Sequence, residues 1–196
     1  VPSKPNSEDP LLSRFMEELD LKEKVKLVGG KTIEECGTVI SLLHRGRIEE
    51  ADRLLSSVKK RVGLITKLCT EHPILLRLPV VRDANMEYVE AVCYYFFLTE
   101  GRVPPYTSFK VEPDEYILGL ADLVGELRRR CLDLIRMGKL ELASKTFDQM
   151  VETYEYIWRF EYPKKLVKGL RHKIDIDRKL LEDTRLILTQ AHILAR

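Results

Sequence analysis

The feature that most constrains the fold is an apolar rhythm of helical period that recurs along nearly the whole chain. Leu11, Leu12, Phe15, Leu19, Val25 and Val28 form one stripe, opened by Pro10. Gly29-Gly30 is expected to weaken or bend that helix. The stripe resumes with Ile33, Val39, Ile40, Leu42 and Leu43 and stops at Gly46. A third helix is expected from about Ile48 to Cys69, with Leu54, Leu55, Val58, Val62 and Ile65 inward. Pro73 and Pro79 bracket a connector, and a fourth helix starts near Asp83 or Asn85 and ends at Gly101. From Tyr88 to Leu98 that helix is apolar nearly all round, which places it at the centre. Pro113 suits the first position of a fifth helix that runs to Met137 and stops at Gly138. A sixth spans Leu140 to Phe160, and Pro163 precedes a last, charge-rich helix from Leu166 to about Leu194. No stretch alternates with period two, so the expectation is an all-α bundle of seven helices. Residues 1–10 read as a disordered leader and 11–196 as a single domain.

Several function classes drop out on composition. The formal net charge is only +2, short of the basic excess of a strongly electrostatic nucleic-acid binder. The charge is uneven, however: Glu161 to Arg196 holds nine Lys/Arg against five Asp/Glu. Cys36, Cys69, Cys93 and Cys131 include no C-x-x-C pair and sit in helix-like sequence, so reduced, partly buried thiols are expected rather than disulfides or zinc. No apolar run approaches the ~20 residues of a membrane span, and no signal peptide is expected in the polar, proline-containing stretch that opens the sequence. A cytoplasmic protein is expected. Gly30-Lys31-Thr32 mimics the end of a P-loop, but Val25 stands where the first glycine is needed and no strand precedes it. Arg45-Gly46-Arg47-Ile48-Glu49-Glu50-Ala51 echoes Met137-Gly138-Lys139-Leu140-Glu141-Leu142-Ala143, which reads as two similar helical-hairpin turns.

Four carboxylates carry the chemistry. Glu87 and Glu90, spaced i,i+3, share one face of the fourth helix. Taken alone, they fit a helix capped by Asn85 whose positive end favours acids. Asp122 and Glu126, spaced i,i+4, share a face of the fifth helix among Leu118, Leu120, Ala121, Leu123, Val124 and Leu127. Gly119 and Gly125 each cost that helix ~1 kcal/mol against alanine, which makes sense where another helix or a ligand comes close. If the two pairs meet, like charges raise one another's pKa unless a cation compensates. With no histidine at these positions, an all-oxygen site favours magnesium or manganese. Acid-bound magnesium suits phosphoryl chemistry. Arg128-Arg129-Arg130, the Lys164, Lys165, Lys168, Arg171, His172, Lys173 cluster and His44-Arg45 offer contacts for a nucleic-acid backbone, although each also fits a solvated helix face. Asp175, Asp177, Glu182 and Asp183 count among the ion-pair partners of the last helix on that plainer reading.

At these residues the sequence resembles the translin family, and within it the factor-X-type (TRAX) and archaeal members. The matching stretches are Leu42-Leu43-His44-Arg45, Glu87-Tyr88-Val89-Glu90-Ala91-Val92, Tyr116 to Leu127, and Gly169-Leu170-Arg171-His172-Lys173-Ile174-Asp175. The resemblance implies a seven-helix fold assembled into a hollow oligomer, commonly an octamer, with nucleic acid inside. It implies that Glu87, Glu90, Asp122 and Glu126 are the acidic site of a magnesium-dependent endoribonuclease. The chain departs from the family at Gly29-Gly30, where related chains carry a Ser-Arg pair, so a positive group expected to face nucleic acid is missing there.

The expectation is therefore a metal-dependent endoribonuclease acting on single-stranded or flexible RNA. Glu87, Glu90, Asp122 and Glu126 would hold Mg2+ or Mn2+. His44, Arg45, Arg128, Arg129, Arg130, Lys168, Arg171 and Lys173 would steady the strand. The alternatives are an RNA or single-stranded DNA carrier without catalysis, and a purely structural subunit that needs a different partner chain; the expected assembly is a homo-oligomer, with a translin-like partner subunit as its other form. The aromatic run Tyr154, Tyr156, Trp158, Phe160 and Tyr162 fits either a homo-oligomer surface or ordinary core.

Overall fold

The computed structural model describes residues 9–163 and 166–195. They form six α-helices: α1 (Pro10–His44), α2 (Ile48–Glu71), α3 (Pro79–Glu100), α4 (Pro113–Arg136), α5 (Leu140–Trp158) and α6 (Leu170–Leu194). Short 3-10 turns lie at Pro73–Arg77 and Tyr106–Ser108, and there is no strand among the described residues. The all-α class holds, but with six helices instead of seven.

The difference lies at Gly29-Gly30, which does not interrupt α1. A Cβ at Gly29 would sit 2.7 Å from Val80 Cγ2 and 3.3 Å from the Val80 carbonyl, so this glycine is where α1 presses on the start of α3. That contact outweighs the helix-propensity cost of two glycines. Most of the expected leader, residues 1–8, lies outside the described residues. Asp9 and Pro10 belong to the helix: the Asp9 carboxylate accepts from the Leu11 amide at 2.8 Å, and Pro10 begins α1. α3 begins at Pro79, a full turn before Asp83. Asn85 is therefore not a cap. It lies inside α3, and its Nδ2 donates to Glu115 Oε2 at 2.8 Å. α6 begins at Leu170, later than Leu166, after Gly169 in the left-handed region at φ 91°. Lys164 and Lys165 lie outside the described residues.

The two similar turns form as the sequence implies. After α1, the Gly46 amide donates to Leu43 and the Arg47 amide to Leu42; after α4, Gly138 donates to Ile135 and Lys139 to Leu134. Both glycines have positive φ, 72° and 71°. This is the Schellman pattern, which satisfies the last carbonyls of a helix and turns the chain back on itself. It produces two hairpins, α1/α2 and α4/α5.

α3 joins the hairpins by packing on both α1 and α4, while α6 covers α4 and α5. Contacts along the α3–α4 seam advance together: Asn85 meets Glu115, and a Cβ at Gly119 would meet Met86 O at 2.7 Å and Val89 Cβ at 2.8 Å. The two helices thus run parallel, and residues 101–112 return along α3 as a strap. Tyr116 Oη donates to Pro104 O at 2.8 Å, and the Phe109 ring lies 5.4 Å from Tyr116 and 6.0 Å from Tyr88. The main core runs through all six helices, with a smaller cluster around Val25, Ile65, Leu75 and Val81. All four cysteines are buried and unpaired. Among the described residues, no helix is long and apolar enough to cross a membrane.

Candidate functional site

The parallel seam sets Glu87 and Glu90 of α3 level with Asp122 and Glu126 of α4. All four line one open groove of about 690 Å³, walled on the α1 side by Gly37, Ile40 and Ser41. Asp83, Arg129 and Lys173 complete the polar lining, so five carboxylates face two cations.

The electrostatics follow from that imbalance. Glu90 is 7 % exposed. Burial, then Asp122, Glu87 and Glu126, push its carboxyl up to about 9, against relief from Lys173. Glu87 is half-buried and also raised, by burial first and then by Asp122. Beneath them the Cys36 thiol is raised by burial, Glu87 and Glu90, and the Cys93 thiol by burial and Glu90. Both thiols stay protonated.

The groove's other two carboxylates have partners. Lys173 Nζ donates to Asp122 Oδ1. His44, the last residue of α1, places Nε2 against Glu126 Oε2, and its Nδ1 lies 3.1 Å from the Tyr94 hydroxyl. Every atom is satisfied if Nε2–H donates to Glu126 and Nδ1 accepts from Tyr94. Arg129 Nη1 lies 3.8 Å from Glu126. Among the described residues, no three His, Cys, Asp or Glu side chains are already gathered as a metal-holding set. The donor chemistry nevertheless fits a hard divalent ion: the acids are oxygen donors, two of them raised by burial and then by neighbouring carboxylates.

A translin-family model matches residues 20–182. The chain belongs to the translin family. It is 27% identical over 167 residues to an uncharacterized protein of Methanocaldococcus jannaschii, covering 84% of this chain and 73% of that one. It is 24% identical over 203 residues to translin-associated protein X of Rattus norvegicus, covering 78% and 70%. Among solved structures, a chain of the AfC3PO–duplex RNA complex superposes with a TM-score of 0.86 at 29% identity, over 94% of this chain and 95% of that one. A chain of apo-NeC3PO superposes at 0.85 with 19% identity, a likeness of fold.

Within this translin-family fold, the basic residues expected on a strand separate into groups. The His44 side chain is 4 % exposed and pairs with Glu126. Lys173 likewise turns inward, onto Asp122. Arg129 is exposed and lies at the groove, whereas Arg128 is half-buried and lies about 120° round α4 from Asp122, since each residue turns the helix about 100°. Arg130 lines a separate cleft with Phe97, Leu134 and Glu152. Arg45 is exposed at the end of α1. Arg171 is exposed but paired with Glu161 at 3.0 Å, and Lys168 uses its carbonyl to accept from Arg82 at 3.2 Å. One residue at the site was misread. Asp177, expected among the surface ion pairs of the last helix, is 4 % exposed, and burial first and then the charge of Asp122 raise its carboxyl. Its i,i+4 spacing from Lys173 was the available signal.

Proposed function

We propose that this chain is a divalent-metal-dependent endoribonuclease subunit acting on single-stranded or flexible RNA. The observation that carries the reading is the convergence of Glu87, Glu90, Asp122 and Glu126 on one groove that is short of positive charge. Glu87 and Glu90 would bind Mg2+ or Mn2+ from the α3 side, Asp122 and Glu126 from the α4 side, and His44 fixes the Glu126 carboxylate. A divalent ion supplies Lewis acidity that eases charge build-up on the phosphate oxygens. Arg129 stands at the groove edge to orient the phosphate, and Arg45 adds positive charge at the end of α1. A family relative seen with duplex RNA supports RNA as the ligand class. Exposed Trp158 and Tyr162 support a hollow homo-oligomer, with an octamer or a translin-like partner subunit as its form, in the cytoplasm.

A second reading, an RNA or single-stranded DNA carrier without catalysis, is favoured by one observation. Asp122 and Glu126 are already engaged by Lys173 and His44. That reading predicts tight, salt-sensitive binding without turnover. The deciding experiment incubates labelled single-stranded RNA with the purified chain in Mg2+ and then in chelator. Glu90→Gln and Asp122→Asn should each lower cleavage by roughly a hundredfold or more, beyond what disturbing a metal's outer partners does. Cleavage at the parent rate by either variant would sink the assignment.

A further inference from the structure

Lys173 and Asp177 lie one turn apart on α6, facing α4. Lys173 reaches across to Asp122, so a resident ammonium already occupies one of the four groove carboxylates. Behind it, Asp177 Oδ2 is fully enclosed and has no hydrogen-bond partner among the described residues. A buried acceptor left without a donor is costly and rare. Burial and then Asp122 push the Asp177 carboxyl up to about 7, while Lys173 draws it down. Asp177 therefore feels both members of the Lys173–Asp122 pair while bonding to neither.

We infer that Lys173 is a counter-ion with two seats: Asp122 when the groove holds no divalent cation, and Asp177 when a cation takes Asp122. The inference rests on the divalent-cation reading of the groove. A lysine on its flexible four-carbon stem pivots without moving the helix, and i,i+4 spacing puts Asp177 within its reach. In the first seat its charge relieves the crowded acids. An incoming cation would meet that ammonium on Asp122 and be repelled. Asp177 offers the ammonium an enclosed carboxyl oxygen with an empty acceptor position. The exchange leaves Asp122 with the new cation and removes the unpaired oxygen on α6. Lys173 and Asp177 are in this role positioning residues, which set how readily Asp122 is released.

The test is Mn2+ binding to the full chain, measured by calorimetry at constant pH and ionic strength, for the parent, Lys173→Met, Asp177→Asn and the double variant. Lys173→Met should bind about tenfold tighter, because no resident ion has to leave. Asp177→Asn should bind about tenfold weaker in the parent background but less than about threefold weaker alongside Lys173→Met, the non-additivity expected of a shared seat. Nitrogen NMR of labelled lysine side chains gives an independent readout: saturating Mg2+ should move the Lys173 resonance to a second ion-paired position in the parent and to the position of a solvent-exposed lysine in Asp177→Asn. Equal weakening in both backgrounds would mean that Asp177 acts only through its charge, and the two-seat inference falls. It falls too if Lys173→Met binds no tighter than a parent that does bind. If neither the parent nor Lys173→Met takes up Mn2+ at millimolar concentration, the divalent-cation reading itself fails, and this inference with it.

Discussion

Glu115 and Glu90 lie along the same α3–α4 seam, and both are more than nine-tenths buried, at 5 % and 7 % exposed. Burial raises both. Around Glu115 the chain supplies donors: Asn85 Nδ2 at 2.8 Å and the Glu112 amide at 2.9 Å draw its carboxyl back down. Around Glu90 the neighbours are Asp122, Glu87 and Glu126, which drive it further up. A carboxylate kept for architecture brings its own donors. One kept short of positive charge, in a groove open to solvent, is on the proposed reading arranged for a cation from outside.

The harshest way to break this comparison is to pry the seam apart between the two acids. Gly119→Ala puts a Cβ against the Met86 carbonyl and Val89. It should cost about 2–3 kcal/mol in chemical denaturation, as overpacking does. Gly125→Ala, which meets nothing within 4 Å, should instead gain up to ~1 kcal/mol. Equal stabilities would show that the seam is loose and the acids are not held level. A gentler probe removes the architectural acid. Glu115→Ala strands the Asn85 and Glu112 donors and should cost about 1–3 kcal/mol, while Glu90→Gln, measured in chelator, should cost nothing or stabilise. A penalty for Glu90→Gln matching that of Glu115→Ala would erase the distinction. Taken one pH unit at a time, the smallest effect is in pH. Folded Glu90, raised to about 9, holds a proton that the unfolded chain releases near 4.5. Stability in chelator therefore falls as pH rises through that window, by at most about 1.4 kcal/mol per pH unit from this group. Glu90→Gln should flatten the slope seen in thermal melts at several pH values; an unchanged slope would place the burden on another group.

Helix content and the acidic pairs were legible because both rest on local spacing. Apolar period marked the helices, and i,i+3 and i,i+4 put each pair on one face. Three matters depended on tertiary contact and were not legible. Gly29-Gly30 reads as a break until Val80 is known to lie against it. Asn85 reads as a cap until Glu115 claims its amide. Asp177 reads as a surface partner of Lys173 until α4 is seen to cover it. The basic residues divide for the same reason. Composition marks Arg128, Arg129 and Lys173 alike, but the turn of the helix sends Arg129 to the groove edge and Arg128 away, and Asp122 captures Lys173.

The two Schellman hairpins have a consequence for time rather than energy. Each joins helices adjacent in sequence, so α1/α2 and α4/α5 require only short loop closures and are expected to form early. The parallel seam requires the strap of residues 101–112 to fold back along α3, a later event. The acids are therefore crowded together only at that last docking. On the proposed reading, a cation would meet crowded acids only once the seam has docked, so it is expected to slow unfolding more than it speeds folding.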